Sequence, residues 1–158
     1  PKIWLDDILY YVRRMEIKGD ILRTADAFLV EKIVLCGITP QPPHREIHKA
    51  ALGATESVDW IFEKNINTAI DNLKKENFEI IGIEQTSSSQ LITDFEINSE
   101  KKYALILGNE VDGISDEALE NIETFLEIPQ LGTKHSLNVS VCGGVVIWEF
   151  AKNLGIKK

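Results

Sequence analysis

The stretch 127-EIPQLGTKHSLNVSVCGGVVIWEF-150 decides the fold. It begins as the end of a strand stopped by Pro129 and passes through a polar, glycine-opened segment carrying Lys134, His135, Ser136 and Asn138. It then enters a run containing Val139, Val141, Val145, Val146, Ile147 and Trp148. The β-branched residues favour a strand locally, but Leu137, Val141, Val145 and Trp148 follow one another at helical steps. Tertiary burial outweighs weak propensity, so the run is expected to be a helix heading toward Lys158. The polar residues before it then form a loop and first helical turn, where free N–H groups and side chains can meet a ligand.

Working outward, 124-TFLEIP-129 reads as a strand and 116-DEALENI-122 as a short helix. The segment 103-YALILG-108 reads as a buried strand ending at Gly108. Before it, 65-NINTAIDNLKKENF-78 reads as a helix through Ile66, Ala69, Ile70 and Leu73, and 78-FEIIGIE-84 as a strand closed by the polar loop QTSSSQ. Further upstream, 20-DILRTADAFLV-30 has Asp20 placed as an N-cap, with Ile21, Ala25, Phe28 and Leu29 on one side. The β-branched run IVLC follows, ended by Gly37. The segment 39-TPQPPHR-45, with three prolines, must be extended or turning. Helices alternating with strands at this spacing predict an α/β fold: a mostly parallel sheet with helices on both faces. The whole of 1–158 is expected to be a single domain.

Composition narrows the function classes. With 158 residues, 44% of them hydrophobic and 27% charged, the chain reads as a globular protein with a real core. No window approaches the roughly 18 apolar residues of a membrane span, and the opening PKIWLDDILYYVRR lacks the order of a signal peptide, so the expected setting is cytoplasmic. Cys36 and Cys142 sit in apolar surroundings and suggest neither a disulfide framework nor a metal knuckle. The net charge of -8 repels nucleic acid at long range, so any nucleic-acid site must be local. Arg13, Arg14, Lys18 and Arg23 form a candidate basic group; the bland alternative is a solvated mixed-charge face.

In open parallel sheets ligands gather outside the carboxyl ends of the strands. Three such ends are rich in small and polar groups: 84-EQTSSS-89, 107-LGNEVDG-113 and 128-IPQLGTKHSLN-138. Gly108 and Gly113 allow close backbone approach, and Asn109 and Glu110 add an amide and a carboxylate; an ordinary turn would use the same residues. Other motifs fail. The run 44-HREIH-48 places two histidines at i,i+4 but meets neither common zinc-helix pattern, so no metal is expected. Asn138-Val139-Ser140 matches a glycosylation sequon among apolar neighbours with no sign of secretion. There is no dinucleotide-binding or nucleoside-triphosphate glycine loop, and Ser136 and Ser140 lack the setting of a nucleophile elbow.

Together, 22-LRTADAF-28, 105-LILGNEVDGIS-115 and 127-EIPQLGTKHSLNVSVCGGVVIWEF-150 resemble the three signature motifs of the SpoU (TrmH-type) RNA ribose methyltransferases of the SPOUT superfamily. The similarity covers essentially the whole chain, including 36-CGITPQPPHREIHKAALGA-54. It implies a SPOUT fold with a C-terminal trefoil knot, which topology rules treat as an exception. It also implies transfer of a methyl group from S-adenosylmethionine to a ribose 2′-hydroxyl of tRNA or rRNA, by a homodimer with sites at the subunit interface and without metal. By resemblance, Thr86, Leu107, Gly108, Asn109, Gly113, Ile128, Pro129, Gln130, Ser136 and Leu137 hold the methyl donor. Arg23 matches the first-motif arginine used near the 2′-oxygen, and Glu110, Ser136 and Asn138 match polar positions that build the catalytic pocket.

That chemistry suits these residue types. A ribose hydroxyl is a poor nucleophile, so the site must help its proton leave and stabilise an oxygen that grows more negative. A guanidinium stays protonated, which makes Arg23 an electrostatic activator rather than a base. The chain departs from the family pattern N-x-G-x-x-x-R, in which Ile17 occupies the Asn position. An apolar group cannot replace an amide's hydrogen bonds. The competing expectation is therefore a catalytically idle relative that binds RNA or the cofactor, with Arg13, Arg14, Lys18 and Arg23 as the RNA-contacting group in either case.

Overall fold

A computed structural model describes residues 3–10, 15–37, 52–133 and 137–155. Seven strands form one sheet among these residues: β1 (Ile3–Tyr10), β2 (Val30–Cys36), β3 (Asp59–Glu63), β4 (Phe78–Ile83), β5 (Gln90–Leu91), β6 (Lys102–Leu107) and β7 (Thr124–Glu127). Their order is β3-β2-β1-β6-β4-β7-β5, and every pairing is parallel. The helices are α1 (Met15–Ala27), α2 (Ala54–Ser57), α3 (Ile66–Lys75), α4 (Asp116–Leu119) and α5 (Val139–Asn153).

The central strands are covered on both sides, and their side chains alternate between two cores. Tyr103, Leu105 and Leu107 of β6 join Ile33 and Leu35 of β2 in the core under α1 and α5. Ala104 and Ile106 join Val34 and Cys36 in the core under α3 and α4. A strand buried on both faces needs a continuous apolar run, which is how YALIL and IVLC read. Helix α3 buries Ile66, Ala69, Ile70 and Leu73 as its spacing predicts, and the Asn65 side chain caps it by accepting from the N–H of Asn67 at 2.9 Å.

Three strands escaped the sequence reading, the shortest being β5, a two-residue pairing whose Gln90 was read as loop. β1, an interior strand between β2 and β6, carries Asp6 and Asp7 in mid-strand, which interrupts the apolar signal. β3 is an edge strand with mostly exposed side chains, so it shows no buried face to read. Helix α1 also begins earlier than expected: Asp20 is exposed and lies inside the helix rather than capping it. The helix ends at Ala27 because Leu29 adopts a left-handed backbone (φ 58), and the strand resumes at once with Val30. The termination has no glycine to announce it. The prolines of 39–45 lie outside the described residues.

Helix α5 confirms the helical reading of 139–150 and buries a second apolar stripe that the sequence reading did not single out. The buried residues are Gly143, Val146, Ile147, Phe150 and Ala151. Leu137, Val141, Val145 and Trp148, the stripe whose spacing pointed to a helix, are exposed, with Trp148 at 48%. Gly143 explains the choice of face: a Cβ there would run into Ile21 of α1 and come within 3.0 Å of Leu107 Cδ1. The close packing of α5 on α1 and β6 therefore needs a residue without a side chain. Beyond it, Phe150 stacks edge-on against Tyr103 at 5.2 Å between centroids.

Candidate functional site

A cavity of about 670 Å³ opens outside the carboxyl ends of β4, β6 and β7, where an open parallel sheet is expected to collect ligands. One wall is Ile83, Glu84 and Gln85. A second is Leu107 and the loop from Gly108 to Gly113. The third runs from Leu126 to Thr133 and is closed by Leu137, Val139 and Cys142 of the α5 entry.

The Gly108–Gly113 loop is fixed by its own sequence. Asn109 and Gly113 exchange backbone hydrogen bonds at 3.0 and 2.9 Å. The buried Asn109 side chain accepts from the N–H groups of Val111 at 2.8 Å and Asp112 at 3.0 Å, which a short amide can do without leaving its own turn. Gly113 has φ 68, and a Cβ there would collide with the Glu84 carboxylate, which accepts the Ile114 N–H at 2.9 Å. The carboxylate just after β4 therefore clamps the loop that follows β6, and only glycine leaves it room.

The third wall is tied to α5 by two contacts. The Gln130 side chain accepts the Leu137 N–H at 3.0 Å, and Asn138 caps the helix by accepting the Val141 N–H at 2.9 Å. On the first wall, Thr86 and Ser89 close the 84–89 loop on itself: the Thr86 N–H donates to Ser89 Oγ at 3.1 Å and Ser89 Oγ donates to the Thr86 carbonyl at 2.8 Å. Burial and the Glu84 charge push the Cys142 thiol up to about 11, so this wall offers no thiolate nucleophile near neutral pH.

Of the residues expected to hold the donor, Leu107, Gly108, Asn109, Gly113, Ile128, Pro129, Gln130 and Leu137 line the cavity, as does Glu110 from the catalytic group. Thr86 and Asn138 stand behind it as the turn and cap just described. Arg23 is exposed on α1 and is not a lining residue. Ser136, Arg13 and Arg14 lie outside the described residues, as do both histidines of 44-HREIH-48. Lys18, placed by the sequence reading in a surface group facing RNA, is instead fully buried. Its stripe is the buried one, one turn before Leu22 and two before Ala25, and helical spacing could have found this. The sequence reading also passed over Glu127, and took Glu84 as loop wall rather than clamp.

Among the described residues no cluster of three His, Cys, Asp or Glu side chains is arranged to hold a metal, and no helix is long and apolar enough to cross a membrane.

A sequence model described as the SpoU rRNA Methylase family matches residues 8–148. The chain is 32% identical over 139 residues to a 23S rRNA (guanosine-2'-O-)-methyltransferase, RlmB, of Neisseria meningitidis, covering 88% of this chain and 54% of that protein. It is 34% identical over 138 residues to an uncharacterized tRNA/rRNA methyltransferase of Borreliella burgdorferi, covering 87% and 59%. Among solved structures, the AdoMet-bound rRNA methyltransferase of Sinorhizobium meliloti superposes with a TM-score of 0.88 at 26% identity, over 96% of this chain and 57% of that one. The chain thus spans little more than half the length of these relatives.

Proposed function

The chain belongs to the SpoU rRNA methylase family, and from that premise we propose that it transfers a methyl group from S-adenosylmethionine to a ribose 2′-hydroxyl of tRNA or rRNA. The observation that carries the proposal is the charge of the cavity. Glu84, Glu110 and Glu127 line it, and no lysine or arginine does among the described lining residues. Such a wall repels phosphate and favours a cationic ligand, which a sulfonium donor is. The cavity's size is that of a small-molecule site, and the backbone groups of 108–113 and 128–133 offer donors and acceptors along it.

A sulfonium donor held there would supply an electrophilic methyl group, its sulfur keeping the bonding pair as a neutral thioether, and the hydroxyl proton would be left to the protein's own groups. The chain's own residues do the rest. The clamped 108–113 loop and the Gln130–Leu137 contact hold two walls in fixed register, so the donor is presented in one orientation. Glu110 lies where a carboxylate can orient the hydroxyl or receive its proton. Ser136, next to the Gln130-anchored Leu137, is proposed as a further polar partner.

A homodimer completes the site in this reading. Arg23 does not line the cavity of its own chain, so it acts on a cavity presented by a second copy. The exposed apolar face of α5, with Val141 at 47% and Trp148 at 48% exposure, is the surface a second copy covers. Trp148 is already propped against Phe28 of α1 at 5.4 Å, which makes the face rigid. Arg23, with Arg13 and Arg14, then meets the RNA. The free thiols Cys36 and Cys142 suit the reducing cytoplasm. The trefoil knot belongs to the same reading.

The test pairs calorimetry with S-adenosylmethionine and a methyl-transfer assay on bulk tRNA and bulk rRNA. Binding with transfer to one pool is the expected result, and Arg23→Ala abolishes transfer while leaving donor affinity unchanged. The Ile17 departure from the family Asn favours a second reading, a catalytically idle relative. Donor binding with transfer to neither pool would select it.

A further inference from the structure

Two polar side chains are buried among the described residues, Asn109 and Lys18. Asn109 is accounted for by the turn it closes. A lysine buried to the same degree needs its own explanation, because an ammonium leaves water at a cost that only nearby charge or hydrogen bonding offsets.

Topology says where it lies. Helix α1 follows β1 and crosses back to the parallel strand β2, so its first turns start from the carboxyl-end side of the sheet, where β6 is β1's other neighbour. Leu9 is paired with Leu107 at that end. Ile21, one turn after Lys18, meets Leu107 where both pack at Gly143. Lys18 therefore lies near the start of the 108–113 loop, and the charge acting on it is Glu110, on the cavity wall. Burial pushes the ammonium down to about 8, and Glu110 pulls the other way. The chain has Ile17 where the family pattern has Asn; the polar group is carried inward one residue later.

We infer that Lys18 is a positioning residue for methyl transfer: its buried ammonium is the counter-charge that holds the Glu110 carboxylate in place at the cavity wall. The inference rests on the reading of that cavity as the donor and transfer site. Behind the wall, away from water, a single ammonium acts on a carboxylate far more strongly than a surface lysine could. Because it is sequestered by the core, the ammonium has little freedom to follow a wandering partner. The carboxylate is the member that becomes fixed.

A double-mutant cycle tests this, read as the transfer rate at saturating donor and RNA for Lys18→Met, Glu110→Gln and the double variant. Each single substitution is expected to lower the rate roughly tenfold, and the double variant to lose no more than the worse single one, since contacting residues that act as a unit are not additive. Lys18→Met is expected to melt at or above the wild-type temperature at pH 7, because it removes a buried charge. Three results overturn the inference: losses that multiply in the double variant, a wild-type rate in Lys18→Met, or a lowered melting temperature accompanying the lost activity. Calorimetry on the wild-type protein separates the two levels. If it binds no S-adenosylmethionine, the donor reading fails and the inference falls with it; if it binds and the losses multiply, only the inference falls.

Discussion

The two faces of α5 are both apolar, yet they belong to different structures. One, from Gly143 to Ala151, is packed into the core beneath α1 and the sheet. The other, through Leu137, Val141, Val145 and Trp148, faces outward. A helix hydrophobic all round is normally a core helix. Here only half of that expectation is met within the chain, and the remainder is the face proposed above for a second copy. Periodicity identified the helix correctly but could not say which of two apolar stripes the protomer keeps. Gly143 was the sequence feature that decided it.

The buried face of α5 carries the largest expected effect. Phe150→Ala removes a ring packed on Tyr103 and Phe95 and is expected to cost about 3–5 kcal/mol in a urea titration. A loss near zero would mean the buried face is not the one described. Next comes the charge that α1 adds to the same core. At pH 7 the folded and unfolded chains both hold the Lys18 proton, and its burial cost is present in full. Between about 8 and the ordinary value of 10.5 the unfolded chain holds more protons, so wild-type stability gains on Lys18→Met as pH rises. The melting-temperature advantage of Lys18→Met at pH 7 should therefore shrink by pH 10; an advantage that grows would reverse the assignment. The raised thiols Cys36 and Cys142 are common to both proteins and cancel in that difference.

Smaller effects sharpen the outer face. Asn138→Ala removes the cap shared by both stripes and is expected to cost about 1 kcal/mol by the same titration. Val141→Asp should change the stability of the isolated chain by less than about 0.5 kcal/mol, as an exposed substitution does. The same variant is expected to sediment as a monomer and to lose methyl transfer. A destabilised chain would show that this stripe packs internally after all.

Much of the layout was legible because doubly covered strands are short apolar runs and α3 has one clean stripe. The three loop segments of the cavity were legible for a related reason, since small and polar residues clustered after strands have few other uses. What failed did so for physical causes. Asp6 and Asp7 hid the interior strand β1, β5 is too short to show a pattern, and β3 showed no buried face. Lys18 was grouped by its neighbours in sequence when its neighbours in space were Ile21, Leu22 and Ala25. Arg23 was correctly placed on a helix, but that it stands away from the lining of the cavity is set by the fold, which no local pattern encodes. Glu84 was seen as part of a polar loop; that it clamps Gly113 depends on two strands meeting only in the folded sheet.

The position of β1 sets a schedule for biosynthesis. Its inner edge pairs with β6, placing Leu9 beside Leu107, while its outer edge pairs with the nearby β2. A ribosome adding about 5–20 residues per second delivers β1 and β2 several seconds before β6 exists to cover the other side. Throughout that interval the middle of the future sheet is an open edge, able to pair with any extended segment that reaches it first. That edge stays open until β6 emerges to join β1 to β4, after which only β7 remains to be inserted, between β4 and β5.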